Sequence, residues 1–269
     1  MKRIQAIVFA LLLAVSLPLG AQNSYSRALT RYVRSNRMAC VVPPESLRKN
    51  LTELTDRALK DKKGFATATL VDYYMREQFM PDMVQFALLP AYSKHVVESE
   101  LNQLSKLYET PAGKAFVAHM LEWQKRMDPV VGELLSWQAE EMDQGNELLP
   151  IDPDPGCPKE YIDLYYTYYD LARPNAALNA MEQSETYRMG NDELRKIFDT
   201  MLPYLRANLR IISLNMAYGV LTEDDLRFGK KVASTEAYQR ATDASVEAAC
   251  TMQTANRLLY MKYLDWLTK

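Results

Sequence analysis

The chain has 269 residues, 48% of them hydrophobic and 25% charged, with 32 Lys and Arg set against 34 Asp and Glu. That hydrophobic content excludes a disordered chain, and the slightly acidic balance, with basic and acidic residues interspersed, excludes the electrostatic footprint of a nucleic-acid-binding protein. Only 9 glycines occur and no stretch alternates apolar and polar residues over strand length, so a β-sandwich is excluded too and the expected class is all-α.

At the amino terminus Lys2 and Arg3 precede an apolar run from Ala6 to Leu17 broken only by Ser16. A charged head, an apolar middle and the residues Pro18, Leu19, Gly20 and Ala21 have the form of a secretory signal over residues 1–21, cut after Ala21 to leave Gln22 first. The run is shorter than the roughly 20 apolar residues of a membrane span, and no cysteine near the cut could accept a lipid. The expected mature protein is therefore exported, with no stable membrane span, and cleavage moves its charge balance from 32 minus 34 to 30 minus 34. Cys40, Cys157 and Cys250 would then meet an oxidising compartment, where one disulfide can form and one thiol is left over. Which two would pair is not readable from spacing.

The first expected domain covers residues 22–143. Leu47, Leu51, Leu54 and Ala58 recur at steps of four, three and four, which predicts an amphipathic helix from Ser46 to Asp61. The cluster Lys60, Asp61, Lys62, Lys63 reads as its solvated end. A second helical stretch, Ala66 to Leu89, is expected to kink or break at Pro81. After Glu98 a short helix carries Leu101, Leu104 and Leu107 or Tyr108. It stops before Thr110 and Pro111, a pair that suits a helix start because threonine can cap while proline takes the first position, where no N–H is needed. The helix that follows places Phe116, Met120, Trp123, Met127, Val130, Leu134 and Trp137 on one stripe. At Asp128 and Pro129 a bend or a second cap is expected.

From Gln144 to Glu160 four prolines and two glycines interrupt any helix, which sets a linker at residues 144–159 and a second domain at 160–269. There the spacing predicts a helix from Tyr161 to Ala172 ended by Arg173 and Pro174. Another is expected from Asp192 to Ala217 with Pro203 inside and Asn191 as its cap, and a third opens with the capping pair Thr222 and Asp225. The last, from Thr235 to the carboxyl end, has no interior proline and is expected to be long. At a separation of 125 residues, Glu98, Leu101, Lys106, Thr110 and Ala112 recur as Glu223, Leu226, Lys231, Thr235 and Ala237, which reads as an internal duplication.

The stretch from Leu101 to Phe116, with leucines at three-residue steps, Tyr108, then Thr110, Pro111 and Gly113, resembles the signature of the domain of unknown function 2059 family. Members are exported helical proteins of Gram-negative bacteria. Leu107 and Thr110 replace an aromatic and a serine of the pattern, and the second copy has Glu236 and Tyr238 where the proline and glycine would be. The resemblance implies a periplasmic or secreted helical unit, in two copies here, and no agreed activity. The residues themselves suggest structural jobs: Leu101, Tyr108, Thr110, Pro111, Gly113 and Phe116 turn one helix into the next and pack the corner.

No phosphate loop, nucleophile elbow, zinc-protease helix or dinucleotide fingerprint occurs, so no catalytic residue, cofactor or metal is assigned. His95 with Glu98 and the distant His119 lack metal-ligand spacing, and neither histidine lies near a cysteine. The pairs Glu140 with Glu141 and Asp224 with Asp225 point in different directions on a helix. The tyrosines Tyr161, Tyr165, Tyr166, Tyr168 and Tyr169 are a candidate binding surface, or equally the packed wall between helices. Two functional readings remain. One is a non-catalytic envelope protein that binds a partner protein or a small apolar ligand in a cleft between its halves; the alternative is a hydrolase acting on cell-envelope material.

Overall fold

The computed structural model describes residues 19–36, 44–59, 67–146, 156–174 and 192–267. Residues 1–18 of the expected signal, Cys40, the 60–63 cluster, residues 147–155 of the expected linker and the cap Asn191 lie outside the described residues. Those described are helical, with no strand among them. In chain order the helices are α1 (Leu19–Asn36), α2 (Pro44–Ala58), α3 (Thr67–Glu77), α4 (Phe79–Met83), a π-helical turn (Val84–Leu88), α5 (Leu89–His95), α6 (Glu98–Tyr108) and α7 (Pro111–Asp143). They continue with α8 (Lys159–Ala172), α9 (Asp192–Ala217), α10 (Glu223–Ala233), α11 (Glu236–Cys250) and α12 (Met252–Leu267). No helix among the described residues is long and apolar enough to cross a membrane.

Local chemistry explains most of these boundaries. The Thr110 hydroxyl accepts a hydrogen bond from the Gly113 N–H at 3.1 Å, and Pro111 occupies the first turn of α7, as its lack of an N–H permits. The Arg173 backbone closes α8 in the left-handed region, at φ 53°. In α6, Leu101, Leu104 and Tyr108 form the buried stripe that their spacing predicts.

Three expectations are corrected. The stretch before residue 89 breaks at Gln78, ahead of Pro81. Proline at 81 has no N–H to give the Glu77 carbonyl, so α3 ends at Glu77, and the chain resumes as α4 and then the π-helical turn. At Pro129 there is no second cap, because α7 runs unbroken from Pro111 to Asp143. Pro129 lies on its exposed side, where water can serve the carbonyl that proline leaves unpaired. The last segment is two helices, divided at Thr251, whose φ of −103° and ψ of 8° leave the helical region. The Thr251 hydroxyl turns back on the Glu247 and Ala248 carbonyls at 3.3 Å, and the break lets α12 bury Tyr263 completely beside Tyr74, ring centroids 4.7 Å apart.

Packing follows a paired scheme. Helix α1 lies on α6 as α8 lies on α10, and α5 lies on α11 as α9 lies on α7. The main core takes Leu29, Tyr92, Leu101 and Leu104 from one side of residues 144–159, and Tyr165, Leu214, Leu226 and Ala244 from the other. A second cluster joins α2, α3 and α12 through Leu47, Leu51, Val71, Tyr74 and Tyr263, and a third joins α7 to α9 through Leu134, Leu202 and Leu205.

Candidate functional site

Helix α11 presents Ala237, Ala241, Ala244 and Ala248 to the interior. Side chains this small cannot fill the space opposite the large rings of neighbouring helices, and a cavity of about 200 Å³ results. Tyr32 and Asn36 of α1 and Tyr108 of α6 form one wall; Phe116, Val117 and Met120 of α7 with Tyr168 of α8 form another; Tyr238, Ala241, Thr242 and Ser245 of α11 close it. The cavity therefore draws on both sides of the 144–159 segment.

Among the described residues its lining carries no ionisable group other than phenols. Burial pushes the Tyr32, Tyr108, Tyr168 and Tyr238 phenols up from their ordinary value, and each of the first three is raised further by neighbouring tyrosines. At neutral pH they are uncharged hydrogen-bond donors. The rings are fixed by one another: Phe116 meets Tyr168 edge-on, 6.0 Å between centroids at 86°, and lies 5.3 Å from Phe228, while Tyr32 lies 6.3 Å from Tyr108. Gly229 makes this possible, since a Cβ there would stand 2.7 Å from Cε2 of Tyr168 and 3.0 Å from Cε2 of Phe116. The site is partly open, and its described lining offers apolar groups and neutral hydroxyls together, so chemically it can receive a small molecule that combines apolar surface with a hydrogen-bonding group.

A second groove, about 540 Å³ and more open, lies along the outer face of α1 between Arg27, Arg31, Arg34 and Glu109. Arg31 is committed there to Glu109, with Nε 2.7 Å from Oε1, and holds that carboxyl below the usual carboxylate range.

The residues singled out from sequence divide. Tyr161, Tyr165, Tyr168 and Tyr169 are buried, and Tyr166 is half-buried with the Arg210 guanidinium 4.6 Å from its ring centre. They form a packed wall, of which only Tyr168 borders the cavity. Among the motif residues Leu101 is core and Thr110, Pro111 and Gly113 build the corner, but Tyr108 and Phe116 also line the cavity. Sequence reasoning missed Tyr32, Asn36, Val117, Met120 and the α11 residues. Two signals were available: Ala28, Leu29, Tyr32 and Val33 follow helical spacing, and Tyr238 stands where the second copy of the corner lacks its glycine.

Both histidines pair across the 144–159 segment rather than with each other. Nδ1 of His119 lies 2.8 Å from Oδ2 of Asp225, and Nε2 of His95 lies 2.7 Å from Oε2 of Glu247. Neither lines the cavity. Asp225 is buried and already accepts hydrogen bonds from the Thr222 N–H and hydroxyl, so its task is to start α10. Lys94 and His95 together hold the Glu247 carboxyl below its ordinary range. Glu140 and Asp224 are exposed and Glu141 half-buried. Burial raises the Cys157 thiol, which keeps it protonated and a poor nucleophile. Among the described residues no group of three or more His, Cys, Asp or Glu is placed to hold a metal ion.

A protein-family model described as "Uncharacterized protein conserved in bacteria (DUF2059)" matches residues 82–136, from the end of α4 through most of α7. No curated protein and no solved structure matches the chain.

Proposed function

We propose that this is an exported, non-catalytic protein of the bacterial envelope, built from two related helical units, which holds a small and mainly apolar molecule in the tyrosine-lined cavity between them. The observation that carries this reading is the cavity itself: about 200 Å³, walled by aromatic and small side chains, with no carboxylate, imidazole or cation among the described residues that line it. Export rests on the signal-like residues 1–21, and a bacterial envelope on the resemblance of residues 82–136.

The duplication is supported by local geometry repeated at the separation of 125 residues. Glu100 accepts from the Val97 N–H at 3.0 Å, as Asp225 does from Thr222 at 2.8 Å. Thr110 donates to the Leu107 carbonyl at 2.7 Å and accepts from the N–H of residue 113; Thr235 donates to Val232 at 2.7 Å and accepts from the N–H of residue 238 at 3.2 Å. The helices packed against the two corners correspond as well. Binding sites at the junction of paired helical units are a frequent outcome of such architecture. The hydrolase alternative draws no support from the two imidazole–carboxylate pairs, since neither faces the cavity.

The test is native mass spectrometry of protein purified from its own cell envelope, with the variant Ala241→Leu, which places a larger side chain in the cavity, as comparison. Wild type is expected to carry a small-molecule adduct that the variant, shown by circular dichroism to remain folded, lacks. An adduct retained by Ala241→Leu, or wild-type protein that carries none and takes up no added apolar probe, would refute the reading.

A further inference from the structure

Several phenols in the interior have an acceptor or a hydroxyl partner. Tyr25 donates to the Val96 carbonyl at 2.9 Å, Tyr161 to the Leu221 carbonyl at 3.0 Å, Tyr74 to the Asp82 carboxylate at 2.9 Å, and Tyr92 shares a 2.7 Å hydrogen bond with Ser245. Two phenols on the cavity wall differ. Tyr108, only 5% exposed, has no hydrogen-bond partner among the described residues. Tyr168, only 9% exposed, has among the described residues the Met120 thioether at 3.7 Å, a weak acceptor. Both phenols border the cavity, and a guest that displaces water from them without offering an acceptor leaves the donors unsatisfied, at a cost comparable to a lost hydrogen bond.

We infer that the molecule held in this cavity is uncharged and carries a hydrogen-bond acceptor, a carbonyl or ether oxygen, that accepts hydrogen bonds from the hydroxyls of Tyr108 and Tyr168. This rests on the cavity being a binding site. Its size limits the rest of the molecule: an apolar cavity of roughly 150 Å³ accepts benzene, so this one accommodates about eight or nine non-hydrogen atoms. Phe116, Val117 and Ala241 supply apolar contact for the carbon skeleton. Among the described residues no cation lines the cavity, so the phenols would have to replace the hydration of a full charge, which favours a neutral carbonyl or ether over a carboxylate.

Acetophenone and cumene test this, being close in shape with nine non-hydrogen atoms each, one with a carbonyl oxygen and one without. Titration is followed by the chemical shift of the ¹³C-labelled Met120 methyl group. Acetophenone is expected to bind roughly tenfold or more tightly than cumene, the preference of a site whose buried donors are satisfied by one probe only. The preference should disappear in Tyr108→Phe,Tyr168→Phe, which keeps both rings and removes both hydroxyls. Equal binding of the two probes to wild type, or a preference that survives in the double variant, would overturn the acceptor inference and leave the binding cavity standing. If neither probe moves the Met120 signal, the binding site itself is lost and this inference goes with it.

Discussion

Replacing Gly113 by alanine should destabilise the protein, although alanine is the better helix former. A Cβ built there would lie 2.3 Å from the Leu107 carbonyl oxygen and 2.7 Å from both Cα and O of Tyr108. All three are backbone atoms of the preceding helix, so no rotamer change relieves the contact and α6 and α7 must separate by about 1 Å to reach van der Waals distance. Overpacking of this kind costs about 1–3 kcal/mol. Separation also pulls the Gly113 N–H away from the Thr110 hydroxyl, a cap worth about 1 kcal/mol. Against these stands the gain of about 0.5–1 kcal/mol from alanine in a helix, leaving a net loss of about 1–3 kcal/mol. Gly132, further along the same helix, is exposed with nothing within 4 Å of the Cβ position, so there the helix-propensity gain of about 0.5–1 kcal/mol should stand alone. Urea denaturation followed by circular dichroism at 222 nm measures both variants against wild type. For a chain of this size the Gly113→Ala loss corresponds to a fall in Tm of roughly 2–12 °C. Opposite signs for one substitution at two places on one helix are the expected result; a Gly113→Ala protein as stable as wild type would refute the close-approach argument.

Alkali should unfold the protein cooperatively. Burial raises the phenols of Tyr32, Tyr74, Tyr92, Tyr108, Tyr161, Tyr165 and Tyr168, and Tyr25 is pushed up to about 12. A raised folded value means the unfolded chain releases these protons first, so stability is full below the ordinary tyrosine range and declines above it by about 1.4 kcal/mol per pH unit for each such group. Absorbance at 295 nm should show exposed tyrosines ionising near the ordinary value and the buried set only with the loss of ellipticity; one smooth titration with structure intact would contradict the burial. In acid the sign reverses for Glu247, whose depressed carboxyl lends stability above the ordinary carboxylate range and loses it as pH falls through the lowered value. Glu247→Gln should therefore be less stable than wild type near neutrality, with the two denaturation midpoints converging at low pH, and a constant gap across that range would show that charge is not the cause.

What could be read from the chain alone is what neighbours in sequence decide among themselves. The all-helical class, the stripe through Leu101, Leu104 and Tyr108, the caps at Thr110 and Thr222, and the end of α8 at Arg173 depend on spacing within one or two turns, and each is present where that spacing put it. The threonine caps at Thr110 and Thr235 were legible for the same reason. Thr251 was not, because no proline or glycine marks it, and the break is favoured by the burial of Tyr263 against residues near 55 and 74. Nor was the cavity, whose walls at Tyr32, Tyr108, Tyr168 and Tyr238 belong to four helices far apart in the chain. A tyrosine carries the same local signal whether its hydroxyl meets a carbonyl, water or a ligand, and only the placement of whole helices distinguishes Tyr161, bonded to Leu221, from Tyr108, which has no such partner among the described residues.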